Sequence, residues 1–382
     1  MPTSVFFALR DAPERRAALA APAGDPERYR LFGLDEVARR ARVRHNLERD
    51  GPPAAWARVT STAVNKLVYG AGGYGGDFAS ILPSLRAINA ADVVFSTVDT
   101  VGLPLMLLRR AGVVRTPVVY TAIGLPERLV QLRGERVGRL YRGVLRRTCA
   151  IVSYSQSESE WLRDWLGPGA PPVRFIPFGV DTDAFRPEPG VKSDLDVLSV
   201  GADPRRDFEL LVAVARRRPD VGFRIVASSD NARVLTSVPE NVTVETDIPL
   251  SAVRDRLAAA RVVALPVRDN SYSGATTTLL QAMAMARPVV VSRTDAIVGG
   301  YGLEDGVNCR LVPPGDAAAL EQALLELLAG ADASRALGIR ARETVERSLS
   351  WERYTEALWN VLSSSGPPSA HKCGSRLRRV RP

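Results

Sequence analysis

The sequence predicts an α/β protein of two domains, each built around a doubly wound parallel sheet. The chain has 382 residues, about the length of two domains. Hydrophobic residues make up 46% of it and charged residues 24%, as in a globular chain. Short apolar segments alternate with amphipathic segments along most of the sequence, which is the pattern of strands connected by helices.

The first half contains six candidate strands and two candidate helices. The strands are rich in Val and Ile and barely alternate with polar residues, as expected when helices cover both faces of a sheet. They are Ser4–Leu9, Arg30–Gly33, Asp92–Ser96, Val118–Tyr120, Ala150–Ser153 and Val173–Ile176, and the helices are Asp77–Ile88 and Arg128–Arg147. These elements predict a first domain over residues 1–176.

The second half repeats this pattern and predicts a second domain over residues 177–349. Its candidate strands are Asp196–Val200, Gly222–Val226, Val242–Glu245, Val262–Leu265, Pro288–Val291 and Cys309–Val312. Its candidate helices are Asp207–Arg217, Leu250–Ala259, Thr276–Ala286 and Ala317–Leu328. A last helix over 350–362 is expected to pack back on the first domain, and 363–382 to form a basic, disordered tail.

The distribution of charge argues against a nucleic-acid-binding protein. The net charge is +9, but it comes from residues 128–147 and from the tail, which leaves the remainder slightly acidic. A groove for nucleic acid would spread basic residues over a folded face. The three cysteines lack the spacing of a zinc site or a disulfide framework, and no apolar run reaches the length of a membrane span. We therefore expect a cytoplasmic protein without a metal.

Two segments in the second half have the composition of anion-binding loops. Gly201 follows a strand and precedes Arg205 and Arg206, so the backbone could approach a ligand while two guanidinium groups neutralise a diphosphate. Solvated arginines at a helix entry are the alternative. Residues 274–276 (Gly-Ala-Thr) precede a helix whose N–H groups could face an anion. The alternative there is a plain helix cap by Ser273 or Thr276.

Four segments, in this order, resemble the retaining, nucleotide-sugar-dependent glycosyltransferases of family 4, which have the GT-B fold. They are residues 176–187, 199–207, 273–290 and 304–316. The resemblance implies two Rossmann-like domains facing a cleft. It also implies a hexosyltransferase that moves a sugar from a UDP, GDP or dTDP sugar to a hydroxyl of a small-molecule, saccharide or lipid-linked acceptor. The family uses no cofactor, and the leaving diphosphate is thought to help deprotonate the acceptor.

The resemblance also implies roles for residues of the second domain. Arg205 and Arg206 would act on the departing diphosphate. The donor would contact Gly201, Ser273, Gly274, Ala275, Thr276 and Gln281, and the nucleotide base would lie near Asp247 and Ile248. Two glutamates usual in the family are replaced by Ser273 and Gln281. We interpret this as a subfamily variant, with a catalytically silent GT-B subunit or a GT-B sugar-nucleotide epimerase as alternatives.

The acceptor is expected on the first domain. Strand ends of a doubly wound sheet face the crevice, which places Thr97, Asp99 and Thr121 there, with Asp99 as the acid for an acceptor hydroxyl. Gly73 and Tyr74 belong to a glycine-rich loop before a helix, which is either an anion-tolerant loop or a flexible connection.

The Arg128–Arg147 helix and a few isolated residues complete the candidates. The helix is amphipathic and basic, so it either contacts an anionic membrane or packs on the core with a solvated basic face. The chain has two histidines, and we expect His45 to have a core or surface role rather than a catalytic one. Asp181 and Asp183 resemble a metal motif of another transferase fold, but a turn and cap is the favoured interpretation.

Overall fold

Two six-stranded parallel sheets form the framework of the protein. The computed structural model describes residues 2–49, 51–272 and 274–366. The first sheet has the order β2-β1-β3-β4-β5-β6 and the second β12-β11-β10-β7-β8-β9, with every pairing parallel. In each order the chain starts inside the sheet and builds outward in both directions. The predicted fold class is confirmed.

The twelve strands divide equally between the sheets. The first sheet contains β1 (Ser4–Ala8), β2 (Arg42–His45), β3 (Val93–Ser96), β4 (Val118–Ala122), β5 (Ala150–Ser153) and β6 (Val173–Phe175). The second contains β7 (Leu195–Gly201), β8 (Phe223–Ala227), β9 (Val242–Thr246), β10 (Ala260–Leu265), β11 (Val289–Ser292) and β12 (Arg310–Val312). The central strands are buried throughout, because helices cover both faces of each sheet.

Helices connect the strands. Those of the first domain are α1 (Pro13–Ala20), α2 (Leu34–Ala38), α3 (Ala55–Gly70), α4 (Phe78–Ile81), α5 (Leu85–Ala90), α6 (Asp99–Arg110), α7 (Leu125–Leu129), α8 (Glu135–Leu145) and α9 (Gln156–Leu166). The others are α10 (Phe208–Arg217), α11 (Ser229–Ala232), α12 (Leu250–Ala259), α13 (Thr276–Ala284), α14 (Asp295–Val298), α15 (Ala317–Ala329), α16 (Ala331–Ser348) and α17 (Trp351–Ser365). None of these helices has the length and hydropathy needed to cross a bilayer.

The predicted strand Arg30–Gly33 is wrong. Residues Pro26–Leu31 form a 3-10 helix that Asp25 caps, and Phe32 follows in the left-handed region at φ 57°. The strand at this edge is β2, which alternates exposed and half-buried positions and carries Arg42, Arg44 and His45. An edge strand of such polarity has no apolar signature in the sequence.

Two predicted helices are each interrupted. Pro83 divides the 77–88 segment into α4, a 3-10 turn and α5, because proline cannot donate the backbone hydrogen bond that a continuing helix needs. The 128–147 segment is divided into α7 and α8, with Gly134 at φ 87° before α8. Helix α3, sixteen residues long, was not predicted.

Two chain segments cross between the domains and pair with each other. The backbone N–H of Val180 donates to the carbonyl of Leu349 at 3.0 Å, and that of Trp351 donates to the carbonyl of Val180 at 2.9 Å. Gly179 fits against this second crossing, since a Cβ there would come within 2.6 Å of the Ser350 carbonyl oxygen. Helix α17 then buries Tyr354, among others, in the hydrophobic core beneath the first sheet. Helix α17 continues to Ser365, so the first residues of the predicted disordered tail, which was expected to begin at 363, are helical. The rest of that tail, beyond residue 366, lies outside the described residues.

Candidate active site

A cavity of about 370 Å³ lies between the two domains. The second domain lines it with the turn after β7 and with the segment before and at the start of α13. The first domain lines it with α1, the 3-10 helix and the ends of β4 and β5. The lining residues are Glu14, Arg15, Tyr29, Arg30, Phe32, Ala122, Ile123, Tyr154, Ser155, Glu158, Phe178, Ala202, Asp203, Tyr272, Gly274, Thr276 and Thr277.

Arg206 lies buried at the carboxyl end of β7. Its side chain packs against Gly201, where any Cβ would overlap the guanidinium group, and one of its nitrogens donates to the carbonyl of Val200. Nε and Nη1 have no hydrogen-bond partner among the residues that the structure describes. Burial lowers the pKa of Arg206 to about 10, so the group stays cationic at neutral pH. The result is a desolvated positive charge whose proton donors are only partly used.

Arg205 extends from the same turn toward the first domain. Its Nη2 donates to Oε2 of Glu127, on α7, at 2.9 Å, and the Arg205 side chain is 42% exposed. Oε1 of Glu127 also accepts from the backbone N–H of Ser271 at 3.1 Å. The hydrogen bond with Glu127 raises the pKa of Arg205. Arg205 therefore spans the cleft.

The glycine segment before α13 lies against the turn that carries the two arginines. A Cβ on Gly274 would come within 2.9 Å of the Asp203 carboxyl group. Asp203 accepts from the backbone N–H of Arg205 at 2.8 Å and from the hydroxyl of Tyr272 at 3.1 Å. Burial raises the pKa of Asp203. The structure thus brings Ala202 and Asp203 of this turn onto one cavity wall with Gly274, whereas the side chains of Arg205 and Arg206 are not among the residues that line the cavity.

The other predicted donor-side residues that the structure describes lie just before α13, at its start and further along it. Ala275 is the buried N-cap and Thr276 the first helical residue; Oγ1 of Thr276 has no partner within the described part of the chain. Gln281 is buried one and a half turns further along. Ser273 lies outside the described residues.

The predicted base-binding residues are not among the residues that line the cavity. Asp247 has φ 51°, a left-handed conformation, and its carboxylate accepts from the backbone N–H and the hydroxyl of Ser229. Ile248 packs partly buried on the core of the second domain. This pair follows β9, two strands from the arginine turn.

Asp99 does not line the cavity, which differs from the expected cleft-facing acid. It is 1% exposed and accepts from the Tyr120 hydroxyl at 2.5 Å, and Nη1 of Arg128 lies 3.7 Å from its Oδ2. Burial raises its pKa to about 6, against the opposing effect of Arg128. The first turn of α6 places this carboxyl under the ends of the strands.

The remaining acceptor-side candidates also lie away from the cavity. Thr97 and Thr121 are fully buried, and Oγ1 of Thr97 donates to the carbonyl of Ala8 at 3.0 Å. Tyr74 accepts from Arg128 Nη1 at 2.6 Å, with the guanidinium over its ring. Gly73 contacts Tyr141, since a Cβ on it would lie 2.8 Å from the Tyr141 hydroxyl. Side chains at strand ends alternate between the two faces of a sheet, and those of Thr97 and Thr121 are on the buried side.

Glu158 is a buried carboxyl group on the cavity wall that sequence reasoning missed. Oε1 accepts from the backbone N–H of Leu125 at 2.9 Å, and Oε2 lies 2.6 Å from Oγ of Ser153. Oγ of Ser153 also lies 3.1 Å from the carbonyl oxygen of Ser155, and that carbonyl oxygen can only accept a hydrogen bond from the Ser153 hydroxyl. Burial raises the pKa of Glu158 to about 8, against the opposing effect of the hydrogen bond that the Ser153 hydroxyl donates to its carboxyl group.

Other cleft residues were missed because their sequence signals are weak. Glu158 follows the N-cap Ser155 at the spacing of a capping box, which could have drawn attention to it. Glu127 and Asp203 carry no motif. Asp181 accepts from the backbone N–H groups of Asp183 and Ala184, both at 2.9 Å, so its turn-and-cap role is confirmed. Within the described ranges, no group of three or more His, Cys, Asp or Glu side chains has the arrangement of a metal site.

Comparisons with known proteins give the second domain a family context. Residues 199–330 match the profile of the family described as Glycosyl transferases group 1. A 190-residue alignment is 30% identical to the MMP alpha-(1->4)-mannosyltransferase of Mycolicibacterium hassiacum and covers 47% of this chain and 45% of that protein. A second, of 223 residues, is 27% identical to the GDP-mannose-dependent monoacylated alpha-(1-6)-phosphatidylinositol monomannoside mannosyltransferase of Corynebacterium glutamicum and covers 51% and 57%. The chain thus aligns with about half the length of these relatives.

Solved structures share the fold over nearly the whole chain. Sucrose-phosphate synthase from Thermosynechococcus elongatus superposes with a TM-score of 0.72 at 18% identity, covering 95% of this chain and 98% of that one. Anabaena Alr3699/HepE in complex with UDP-glucose superposes with a TM-score of 0.69 at 15% identity, covering 94% and 99%. The chain therefore has the GT-B fold with a glycosyltransferase group 1 region at residues 199–330, and its predicted resemblance to nucleotide-sugar-dependent glycosyltransferases is confirmed.

Proposed function

We propose that this protein is a hexosyltransferase that moves a sugar from a nucleotide-diphosphate sugar to a hydroxyl group, with retention of the anomeric configuration. The observation that carries the proposal is the pair of arginines at the carboxyl end of β7. One is buried with unused donors and the other extends across the cleft. Two guanidinium groups placed this way suit the oxygens of a diphosphate. Relatives named as mannosyltransferases, one of them GDP-mannose-dependent, support a hexose donor.

In this proposal the protein neutralises charge and positions the two substrates. The bond between the anomeric carbon and the diphosphate oxygen breaks while a bond to the acceptor oxygen forms on the same face. The acceptor proton passes to the departing diphosphate. Arg206 and Arg205 stabilise the charge that develops on that diphosphate, and the first turn of α13 offers backbone N–H groups to it. The step requires no covalent protein nucleophile and no metal ion.

The donor's nucleoside is proposed to lie beyond α13. Gln281 would exchange hydrogen bonds with ribose hydroxyls, and the base would lie toward Asp247 and Ile248. On the first domain, Asp99 becomes a positioning residue. It orients Arg128 and the turn at Ile123, whose N–H lies 3.4 Å from its carboxylate. The acceptor would then contact the cavity wall at Ala122 and Ile123.

We further propose that the first domain contacts an anionic membrane, which suits a lipid-linked acceptor. Along α3, Trp56, Val59 and Leu67 point outward with exposed fractions of 55%, 70% and 75%. The end of α3 adjoins the start of α8, where Arg133 donates its backbone N–H to the carbonyl of Gly72 at 3.0 Å. Further exposed arginines on and beside α8 are Arg136, Arg139, Arg146 and Arg147. An apolar helix face beside a basic row matches a bilayer with anionic headgroups.

A nucleotide panel tests the transferase proposal. We expect one of GDP, UDP or dTDP to raise the melting temperature, because a ligand that binds only the folded state stabilises it. Arg206→Ala should lose this shift, whereas Arg335→Ala, on the exposed face of α16, should retain it. With the matching sugar nucleotide and a hydroxyl acceptor, NMR should show a product that keeps the donor's anomeric configuration.

Three results would contradict the proposal, each in a different way. Binding without turnover over a broad acceptor panel would indicate a silent subunit. A changed sugar in the donor without any acceptor would indicate an epimerase. No nucleotide binding at all would remove the assignment of the arginine pair.

A further inference from the structure

The carboxylate of Glu127, on the first domain, forms an ion pair with the Arg205 guanidinium group, to which we assign the diphosphate of the donor. Glu127 accepts from Arg205 Nη2 at 2.9 Å through Oε2, and from the backbone N–H and hydroxyl of Ser271 at 3.1 and 3.4 Å through Oε1. These contacts reach two loops of the second domain at once. One is the turn after β7 and the other is the segment between β10 and α13.

The two loops are joined to each other and form one unit. The backbone N–H of Asp207 donates to the carbonyl of Pro266 at 2.9 Å, and that of Arg268 donates to the carbonyl of Arg205 at 2.8 Å. Arg206 and Val267 form an isolated antiparallel bridge between these hydrogen bonds. A group that holds either loop therefore holds both.

On the first domain, Glu127 is fixed by its short helix. Helix α7 begins after Gly124, which has φ 70°. Across the cleft, Gly124 packs so closely on Tyr272 of the second domain that a Cβ there would lie 2.9 Å from the ring. The backbone N–H of Leu125 is held by the buried carboxyl of Glu158. Since α7 is anchored in this way, Glu127 reaches Arg205 only while the domains are close together.

We propose that Glu127 is a positioning residue that competes with the donor's diphosphate for Arg205. Without donor, Glu127 holds the domains together; when donor binds, the diphosphate takes its place on the guanidinium. This inference rests on the proposed function, because the competition requires a diphosphate at Arg205. Carboxylates and phosphates are interchangeable partners for the guanidinium fork. The Arg205 side chain is 42% exposed and that of Glu127 is half-buried at 26%, so water partly screens the ion pair and a more highly charged anion competes with it.

Substitution Glu127→Gln, measured by calorimetric titration with GDP and UDP, tests the competition. Removing the competing charge should tighten nucleotide binding by about two- to fivefold, which is the range for losing one exposed ion pair. The matched control is Glu356→Gln, which breaks another exposed pair, to Arg40 at 2.6 Å, away from the cleft. It should leave the affinity unchanged. In an Arg205→Ala background, Glu127→Gln should no longer change the affinity.

A second readout separates this inference from the proposed function. Small-angle scattering without nucleotide should give a larger radius of gyration for Glu127→Gln than for the wild type or Glu356→Gln. Equal or weaker nucleotide affinity in Glu127→Gln overturns the competition, as does an unchanged radius of gyration. If neither wild type nor variant binds any nucleotide, the donor site itself is wrong and the competition falls with it. Scattering then still reports whether Glu127 holds the domains together.

Discussion

The buried carboxyl group of Glu158 should make the stability of this protein decrease as the pH rises. Burial raises its pKa from 4.5 to about 8 in the folded protein. Between these values the folded protein holds one proton more than the unfolded chain, so the free energy of unfolding falls with increasing pH. We expect the substitution Glu158→Gln to remove this dependence. Its amide oxygen can accept from Leu125, and its amide nitrogen can donate to Ser153.

The size of the effect follows from the shifted pKa. Each pKa unit corresponds to about 1.4 kcal/mol, and an interval from pH 6 to the folded pKa of about 8 covers two units. The stability of Glu158→Gln relative to wild type should therefore increase by about 3 kcal/mol between pH 6 and pH 9. Urea denaturation at pH 6, 7.5 and 9 measures it. Glu160→Gln, on the same helix but exposed, is the matched control and should show a constant difference from wild type. A constant difference for Glu158→Gln as well would refute a protonated carboxyl group at the cavity wall.

Two further variants test the donor site and the membrane surface. Gly201→Ala should weaken nucleotide binding about tenfold, measured by calorimetry, because the added methyl group displaces Arg206. The control is Gly222→Ala, whose Cβ would lie 3.6 Å from the nearest side-chain atom and which should bind nucleotide as the wild type does. Equal nucleotide affinity of the two variants would contradict the placement of Arg206. A double Trp56→Ser, Leu67→Ser variant should bind vesicles containing phosphatidylglycerol at least tenfold less tightly in a sedimentation assay, about 1.4 kcal/mol. The same changes at two exposed apolar positions of the second domain, residues 234 and 339, should have no effect, and undiminished vesicle binding by the first pair would exclude α3 from the surface.

The sequence predicts the second domain better than the first because its strands are apolar and its loops carry motifs. All six strands of that domain lie within two residues of their predicted bounds. In the first domain, β2 escaped notice because Arg42 and Arg44 mask its single apolar position, and Gly134 divides a segment whose hydrophobic arc is otherwise continuous.

The candidate site likewise contains residues that sequence motifs could identify and residues whose position depends on packing. Arg205, Arg206 and Gly274 could be grouped because each follows a strand or precedes a helix in a recognisable turn. Asp99 was expected in the cleft because it follows a strand, yet which face a strand-end side chain takes depends on packing that the sequence does not display. Glu127 could not be predicted, since its partner Arg205 lies 78 positions away on the other domain.

The paired crossing at Val180 and Leu349 has a mechanical consequence for motion between the lobes. A single connecting segment could twist as well as bend, whereas two segments joined by a pair of hydrogen bonds resist twisting about their common direction. Opening of the two domains should therefore be confined to a rotation about one axis through this paired crossing. Deleting α17 would remove one of the two hydrogen bonds of this crossing, because Trp351 donates it, and should widen the range of directions in which the domains rotate.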